Sequence, residues 1–145
     1  MREPDDITGQ IIDAALRIHR RTGPGLLESV YETLVAAELR RRGFTVERQK
    51  AASLEFDGFH FEQALRLDLL VERTVAVEIK SVEQLKPVHK AQLLTYVRLL
   101  DLPVGLLINF GGAALKDGLV RVVNDLPHSP TRRIHIDRLA AGSES

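Results

Sequence analysis

Two apolar runs with alternating residues, 65–71 and 74–80, constrain the fold of this chain more than any other part of its sequence. Alternation is typical of strands that bury one face of a sheet, and a slip of one residue would turn a whole buried row to the other face. Only a short polar segment separates the runs, so they predict an antiparallel hairpin with a three-residue turn at residues 72–74. The register that buries both odd-numbered rows pairs Val71 with Val75, Leu69 with Val77, and Leu67 with Ile79.

This register has a consequence on the reverse face, where it sets Asp68 opposite Glu78 and Arg66 opposite Lys80. Two carboxylates in directly opposed positions repel each other unless a cation lies between them. Magnesium prefers oxygen ligands and is typically held by one or two carboxylates, so the pair predicts a Mg²⁺ or Mn²⁺ site with open coordination positions. The Lys80 ammonium beside it could orient or deprotonate a water and neutralise phosphate charge.

Two structural readings of the same residues stay open. A carboxylate and a lysine two positions apart on a strand often form only a solvated face. Arg66 and Lys80 could also pair with Asp68 and Glu78 in a cross-strand lattice of salt bridges.

The remaining sequence predicts a mixed α/β domain. Helical spacing of apolar residues indicates three helices, and period-two runs around Asp57-Gly58 indicate a further hairpin. The order strand, helix, strand after residue 74 favours a parallel crossover. The expected helices are one capped by Asp5 or Asp6 and ending at Gly23, one running from after Gly25 to Arg42, and one at residues 88–100; further strands are expected at residues 104–108 and 119–123.

Length and composition limit the classes of protein that this chain can represent. Its 145 residues predict one domain at residues 1–125, followed by a loosely ordered tail at residues 126–145 with one short ordered piece at 134–139. The absence of cysteine excludes disulfides and thiolate metal sites. We expect no signal peptide, no membrane span and a cytoplasmic location. A homo-oligomer is compatible with the sequence.

Twenty basic and twenty acidic residues leave no net charge, so any binding of nucleic acid must depend on a local patch. Lys86 and Lys90 flank the proposed site and are the best candidates for phosphate contacts. His89, Gln92 and Tyr96 share one face of the third helix, where they could bind substrate or form an ordinary amphipathic boundary. Most of the five phenylalanines are expected in the core, which leaves no aromatic platform for bases.

Several spaced motifs resemble those of a known family. Residues 25–31 read G-L-L-E-S-V-Y, the G-x-x-E-x-x-Y signature, and the chain resembles the bacterial GxxExxY family of the PD-(D/E)XK nuclease-like superfamily from about Ile7 to Asn124. The segments R-L-D-L-L-V at 66–71, V-E-I-K at 77–80 and P-V-H-K-A-Q-L-L-T-Y at 87–96 carry the rest of the likeness. The proline that names the superfamily is absent, since Leu67 precedes Asp68.

The resemblance implies a restriction-endonuclease-like core and a set of site residues. By motif position, metal binding passes to Asp68 and Glu78, and assistance of the attacking water passes to Lys80. The acidic residue of the first core helix corresponds to Glu28, and the Q-x-x-x-Y element corresponds to Gln92 and Tyr96. The Ile79 carbonyl is an additional metal ligand by the same reasoning. Glu28 could also serve only as a charge at the start of its helix, and Tyr31 could be either a substrate contact or a core residue with a solvated hydroxyl.

Two hypotheses for function follow from these residues. The first is a magnesium-dependent nuclease that hydrolyses DNA in preference to RNA, with Glu28, Asp68, Glu78, Lys80 and Gln92 catalytic. The second is a catalytically silent module that keeps the nuclease fold and acts by binding protein or nucleic acid.

Overall fold

The computed structural model describes residues 2–125 and 133–136 of the chain. Within these described residues, three α-helices, one 3₁₀ helix and six strands form a single layered arrangement. The elements are α1 (Pro4–Thr22), α2 (Glu28–Arg41), β1 (Val46–Phe56), β2 (Phe59–Val71), β3 (Val75–Lys80), α3 (Pro87–Leu99), β4 (Val104–Asn109), the 3₁₀ helix (Leu115–Gly118), β5 (Leu119–Val123) and β6 (Arg133–Ile136). Within residues 2–125, no helix has the length and apolar composition needed to cross a membrane.

One mixed sheet organises the fold, with the strand order β5-β4-β3-β2-β1-β6. Among the strands of the described residues, β3 and β4 alone pair in parallel, and α3 connects them, as the strand, helix, strand order predicts. The buried faces of α1 and α2 pack on one side of the sheet, and α3 packs on the other through Leu93 and Val97. This arrangement confirms the predicted mixed α/β class with a restriction-endonuclease-like core.

The predicted register of the β2–β3 hairpin is confirmed over its three backbone pairs. Val71 pairs with Val75, Leu70 with Ala76, and Leu69 with Val77. Turn residues Glu72 and Arg73 both have positive φ, in a three-residue connection at 72–74. The backbone pairs end at Leu69 and Val77, so the further predicted pairs are not formed: Asp68 with Glu78, Leu67 with Ile79, and Arg66 with Lys80.

The alternation of β2 changes at Asp68, which corrects the expectation that Leu67 and Leu69 share a face. Leu69 packs with α1 and α2, whereas Leu67 packs in the cluster that contains α3. The neighbouring β1–β2 ladder contains Arg48↔Leu69 and Lys50↔Leu67 but omits the pair between them, Gln49 and Asp68. Gln49 and Asp68, which would lie opposite each other, are thus both left out of the ladder. After this position the alternation in each strand is reversed, so that its side chains point to the other face of the sheet.

The backbone at Gln49 has an unusual conformation at this break. Its φ of +49° lies in the left-handed region, where a residue other than glycine costs about 1–2 kcal/mol. Residues three apart on a regular strand point to opposite faces. Across the break they do not, since Lys50 Nζ forms a nearly buried ion pair with Glu47 Oε2 at 3.0 Å.

Three smaller expectations need correction. Helix α1 begins at Pro4 with Glu3 as its N-cap, so Asp5 and Asp6 lie in the first turn rather than at the cap. Helix α2 begins at Glu28, after an irregular segment that follows Gly25. Most phenylalanines were expected in the core, but three of the five are exposed near the tip of the β1–β2 hairpin: Phe56, Phe59 and Phe61.

The predicted tail is described only in part. Residues 133–136 form β6, which pairs antiparallel with residues 52–55 of β1. Residues 126–132 and 137–145 lie outside the described residues, so the predicted boundary at residue 125 and the second half of the expected ordered piece at 134–139 are not tested.

Two adjacent glycines after β4 give a test of the packing around the end of β3. A Cβ on Gly111 would lie 2.1 Å from the Val82 carbonyl oxygen, whereas a Cβ on Gly112 would meet nothing closer than 3.8 Å. We expect Gly111→Ala to lower the free energy of unfolding by about 1–3 kcal/mol, because the backbone at Val82 must move. Gly112→Ala is the matched control and should stay within about 0.5 kcal/mol of wild type. Urea denaturation measures both, and equal stabilities would contradict the tight contact at Val82.

Candidate active site

The carboxylates of Asp68 and Glu78 join β2 to β3 where their backbone ladder ends. The Asp68 N–H donates to Glu78 Oε2 at 2.9 Å, and the Ile79 N–H donates to Asp68 Oδ2 at 2.8 Å. Each side chain thus accepts a hydrogen bond from a backbone N–H on the other strand. The predicted backbone pair of Asp68 with Glu78 is not formed, and these two bonds instead hold the carboxylates at the mouth of the hairpin, just beyond the end of its ladder.

This pair is costly to ionise. Burial, and after it the neighbouring charge of Asp68, raise the pKa of Glu78 to about 8, against the lowering effects of the Asp68 N–H and Lys80. Burial also raises the pKa of Asp68, against the hydrogen bond from the Ile79 N–H. The two carboxylates, of which Glu78 is buried and Asp68 half-buried, therefore form an acidic pair that gains from a nearby cation.

The donor set fits a hard divalent cation. Glu78 Oε1 accepts no hydrogen bond from the described residues, and the pair offers oxygen ligands alone. Magnesium is commonly held by one or two carboxylates together with waters, which matches this arrangement. Among the described residues, no group of three or more histidine, aspartate or glutamate side chains lies close enough to hold a metal.

Lys80 lies beside the pair without forming an ion pair with it. Its charge lowers the pKa of both Asp68 and Glu78, and its side chain is half-buried. No ion pair within residues 2–125 joins Lys80 or Arg66 to either carboxylate, and Arg66 instead donates to Gln63 at 2.7 Å. The lattice of salt bridges that the sequence left open is therefore not formed.

The backbone around Lys80 is held from β4. The Phe110 N–H donates to the Lys80 carbonyl at 2.8 Å. The Asn109 side chain then binds both polar groups of Val82, accepting from its N–H at 2.9 Å and donating to its carbonyl at 2.9 Å. These bonds fix the direction in which the chain leaves β3 and hence the position of Lys80.

Helix α3 brings Tyr96 and Gln92 toward the acidic pair. Burial raises the pKa of the Tyr96 hydroxyl, and the nearby charges of Glu78 and Asp68 raise it further. A hydrogen bond from Gln92 acts in the opposite direction, so the two side chains are in contact. Gln92 is exposed and Tyr96 is half-buried, which leaves both groups accessible at the edge of the site.

The other α3 residues from the sequence analysis lie at the helix start. His89 is bound within the first turn, because its Nδ1 accepts from the Lys86 N–H at 3.1 Å. That bond gives His89 a structural role and leaves only Nε2 for a ligand. Lys86 and Lys90 are exposed, as phosphate-contacting lysines must be.

Glu28 does not join the acidic pair in a shared cluster, which corrects the expected set of three acidic ligands. Because α2 begins at Glu28, the carboxylate reaches the end of β3, where Glu28 Oε2 accepts from the Ser81 N–H at 3.1 Å. The acidic residue one turn later, Glu32, is the one close enough to raise the pKa of both Asp68 and Glu78. Glu28 therefore positions the segment after Lys80, and Glu32 supplies the third negative charge.

Tyr31 is fully buried, which corrects its expected role as a substrate contact. Its hydroxyl donates to the Gly23 carbonyl at 2.6 Å and accepts from the Leu26 N–H at 3.1 Å, and its ring stacks on Phe110. The Leu26 carbonyl in turn accepts from Ser81 Oγ at 2.7 Å. Together with Glu28, the tyrosine of the G-x-x-E-x-x-Y signature thus ties the segment before α2 to the end of β3.

Two residues near the pair, Glu32 and Gln49, are not predicted from the sequence. Gln49 Nε2 donates to Glu32 Oε1 at 2.7 Å and lies 3.5 Å from Asp68 Oδ1. Glu32 also forms an ion pair with Arg48 at 3.1 Å. Its spacing of four from Glu28 could have indicated a second acidic residue on the same helix face. No pattern in the sequence indicates the left-handed backbone of Gln49.

Comparison with known proteins agrees with this geometry. A family model described as the PD-(D/E)XK nuclease superfamily matches residues 5–122, which is most of the chain and includes the acidic pair, Lys80, Gln92 and Tyr96. No curated protein matches the chain, and no solved structure matches it.

The raised pKa of Glu78 predicts how stability depends on pH without metal. The folded protein binds this proton more tightly than an unfolded chain does, where the pKa is 4.5. The free energy of unfolding should therefore fall as pH rises from about 4.5 to about 8. Glu78→Gln keeps an acceptor for the Asp68 N–H and removes the titration, so its stability should fall less steeply. Denaturant unfolding in EDTA from about pH 5 to about pH 9 measures this difference.

Glu38 provides a control of opposite sign. Hydrogen bonds from Arg41 and Arg42 lower its pKa to about 2, so its stabilising effect is already complete above pH 4.5. Glu38→Gln should lower stability by the same amount at every pH in the series and leave the slope unchanged. A Glu78→Gln curve parallel to that of wild type would contradict the raised pKa.

Proposed function

The chain belongs to the PD-(D/E)XK nuclease superfamily, and from this premise we propose that it is a divalent-metal-dependent nuclease that hydrolyses phosphodiester bonds. The observation that carries the proposal is the pair formed by half-buried Asp68 and buried Glu78 at the mouth of the β2–β3 hairpin, with the Lys80 ammonium beside it. Superfamily membership supports a nucleic acid as the substrate in general. DNA, rather than RNA, is the substrate that we propose.

Asp68 and Glu78 are the proposed ligands of Mg²⁺ or Mn²⁺, with the Ile79 carbonyl as an additional ligand. When bound, such an ion lowers the pKa of water and neutralises negative charge on a phosphate. The protein holds the two carboxylates in place before any ligand arrives, through the N–H groups of Asp68 and Ile79. Preorganisation of this kind avoids the cost of moving charged side chains during the reaction.

Lys80 is the proposed partner of the attacking water. Its Nζ can accept a proton from that water when neutral, or donate hydrogen bonds to a phosphate oxygen when charged. In the hydrolysis, the water oxygen forms a bond to phosphorus, the ester P–O bond breaks, and the leaving oxygen takes a proton. The fixed backbone between Lys80 and Val82 keeps the ammonium at the site during these steps.

The face of α3 supplies the proposed contacts to the nucleic acid. Gln92 and Tyr96 can donate to phosphate or sugar oxygens near the acidic pair, and His89 can offer Nε2. Lys86 and Lys90, near the start of α3, attract the phosphate backbone outside the reacting group. Contacts of these types do not distinguish bases, so we propose cleavage without strong sequence specificity.

Within the superfamily, we propose membership of the GxxExxY family. The signature residues Gly25, Glu28 and Tyr31 support this assignment, since each has a structural task in one connected segment. Gly25 has a φ of +99°, Glu28 binds the Ser81 N–H, and Tyr31 binds the backbone of residues 23 and 26.

Cleavage assays test the proposed activity directly. Purified protein with Mg²⁺ or Mn²⁺ should cleave DNA, and EDTA should abolish the cleavage. Asp68→Asn and Glu78→Gln should remove activity, because each deletes a charged ligand while keeping the side-chain shape. Lys80→Ala should lower the rate by about 100-fold or more, the range for loss of a proton-transfer group. Lys116→Ala, an exposed lysine in the 3₁₀ helix, is the matched control and should retain wild-type activity.

Two outcomes of these assays would count against the assignment. Cleavage that persists in Asp68→Asn and Glu78→Gln would indicate a contaminating nuclease or another site. A protein that binds no metal and cleaves neither DNA nor RNA would instead fit the non-catalytic module.

Metal binding distinguishes the roles of the two acidic residues on α2. Titration calorimetry with Mn²⁺ should show weaker binding by Glu32→Gln, about tenfold as is usual for groups just outside the ligand shell, because Glu32 adds negative charge near the pair. Glu28→Gln is the matched control, one turn away on the same helix, and should bind Mn²⁺ with nearly wild-type affinity. A larger loss in Glu28→Gln than in Glu32→Gln would restore Glu28 to the acidic cluster.

A further inference from the structure

Gln49 combines two unusual features that meet at the acidic pair. It occupies a left-handed backbone conformation in the middle of β1, and it is left out of the β1–β2 ladder together with Asp68. Neither residue has a backbone partner in that ladder, although the pairs on both sides of them are formed. The break in the sheet therefore lies directly at a proposed metal ligand.

The side chain of Gln49 connects Asp68 to helix α2. Its amide nitrogen donates to Glu32 Oε1 at 2.7 Å and lies 3.5 Å from Asp68 Oδ1. A single neutral donor thus lies between two carboxylates that would otherwise repel each other. Its hydrogen bond favours the charged form of Asp68.

The residue type at this position requires an explanation. Glycine adopts a positive φ without the steric cost that any other residue bears. If the break needed only the backbone turn, glycine would serve better than glutamine. The strained backbone together with the amide contacts indicates that the side chain itself is needed.

We propose that Gln49 is a positioning residue that sets the separation of Glu32 and Asp68 and thereby tunes the affinity of the acidic pair for a divalent cation. This inference rests on the proposed function for its metal, but the positioning itself is a property of the metal-free protein. Gln49 contacts the two carboxylates and is not itself a ligand, since its amide nitrogen is directed at them.

Two variants separate the amide from the backbone conformation. Gln49→Gly keeps the positive φ without strain and removes the amide. Gln49→Met keeps the approximate length of the side chain and removes the amide without adding a charge. The control is Asp57→Gly, which relieves the same φ of +49° at the β1–β2 turn. The readouts are Mn²⁺ affinity by calorimetry, thermal stability in EDTA, and kcat and KM for DNA.

The expected result is a loss of metal affinity without a loss of fold. Both Gln49 variants should bind Mn²⁺ about tenfold more weakly or worse, as is usual when a group that orients a metal ligand is removed. Their kcat should fall at saturating metal while KM for DNA stays near the wild-type value. Asp57→Gly should match wild type in affinity and kinetics. Wild-type Mn²⁺ affinity in Gln49→Gly, with the protein folded, would overturn the proposal.

Crystal structures of metal-free wild type and Gln49→Gly keep this inference separate from the proposed function. The Glu32 and Asp68 carboxylates should move apart or rotate in the variant, and an unchanged arrangement would overturn the positioning role. A wild-type protein that binds no Mn²⁺ would defeat the proposed function, and these structures alone would then decide what Gln49 does. If Gln49→Gly fails to fold, Gln49→Met is judged by the same criteria.

Discussion

The site depends on two hydrogen bonds between β2 and β3 in which a side-chain carboxylate, and not a backbone carbonyl, is the acceptor. The backbone ladder of this hairpin stops at Leu69 and Val77. Beyond it, the Asp68 N–H donates to the Glu78 carboxylate, and the Ile79 N–H donates to the Asp68 carboxylate. The hairpin remains closed, because these N–H groups are still satisfied. Two acidic side chains are fixed in a partly dry environment as a result. The raised pKa of Glu78 and the attraction for a cation both follow from this arrangement.

Neighbouring elements hold the end of β3 where the pair requires it. Asn109 of β4 binds Val82 on one side, and Glu28 with the backbone of Leu26 binds Ser81 on the other. Lys80, the residue before this doubly bound segment, is therefore carried on rigid backbone. The signature residues at the start of α2 act here as supports. Their role explains how a tyrosine without access to solvent can belong to a motif near an active site.

The sequence predicted the features that depend on local periodicity, and it failed where side chains override periodicity. Alternation of Val75, Val77 and Ile79 was enough to predict the hairpin register over its three backbone pairs. The same rule was wrong for Leu67, because the ladder skips Asp68 and Gln49 together and the alternation changes face there. Helical spacing predicted that α2 exists but not that it begins at Glu28. That starting point decides which glutamate, Glu28 or Glu32, lies near the pair. The exposure of Phe56 has a different origin. Its apolar side chain predicts a place in the core, but it lies at the tip of the β1–β2 hairpin, which extends beyond the core.

Protons and metal ions compete for the same oxygens in this site. Near neutral pH the metal-free pair retains a proton, because Glu78 has a pKa of about 8. A divalent cation would displace that proton, so part of its binding energy is spent on deprotonation and its apparent affinity must rise with pH. Lys80 and the amide of Gln49 reduce this cost, since both favour the charged form of Asp68. The negative charge of the pair thus attracts a cation. While no cation is bound, the proton on Glu78 reduces the repulsion between the two carboxylates. Whole-chain neutrality is compatible with this chemistry, because the charges that govern it lie within one hairpin and the two helices beside it.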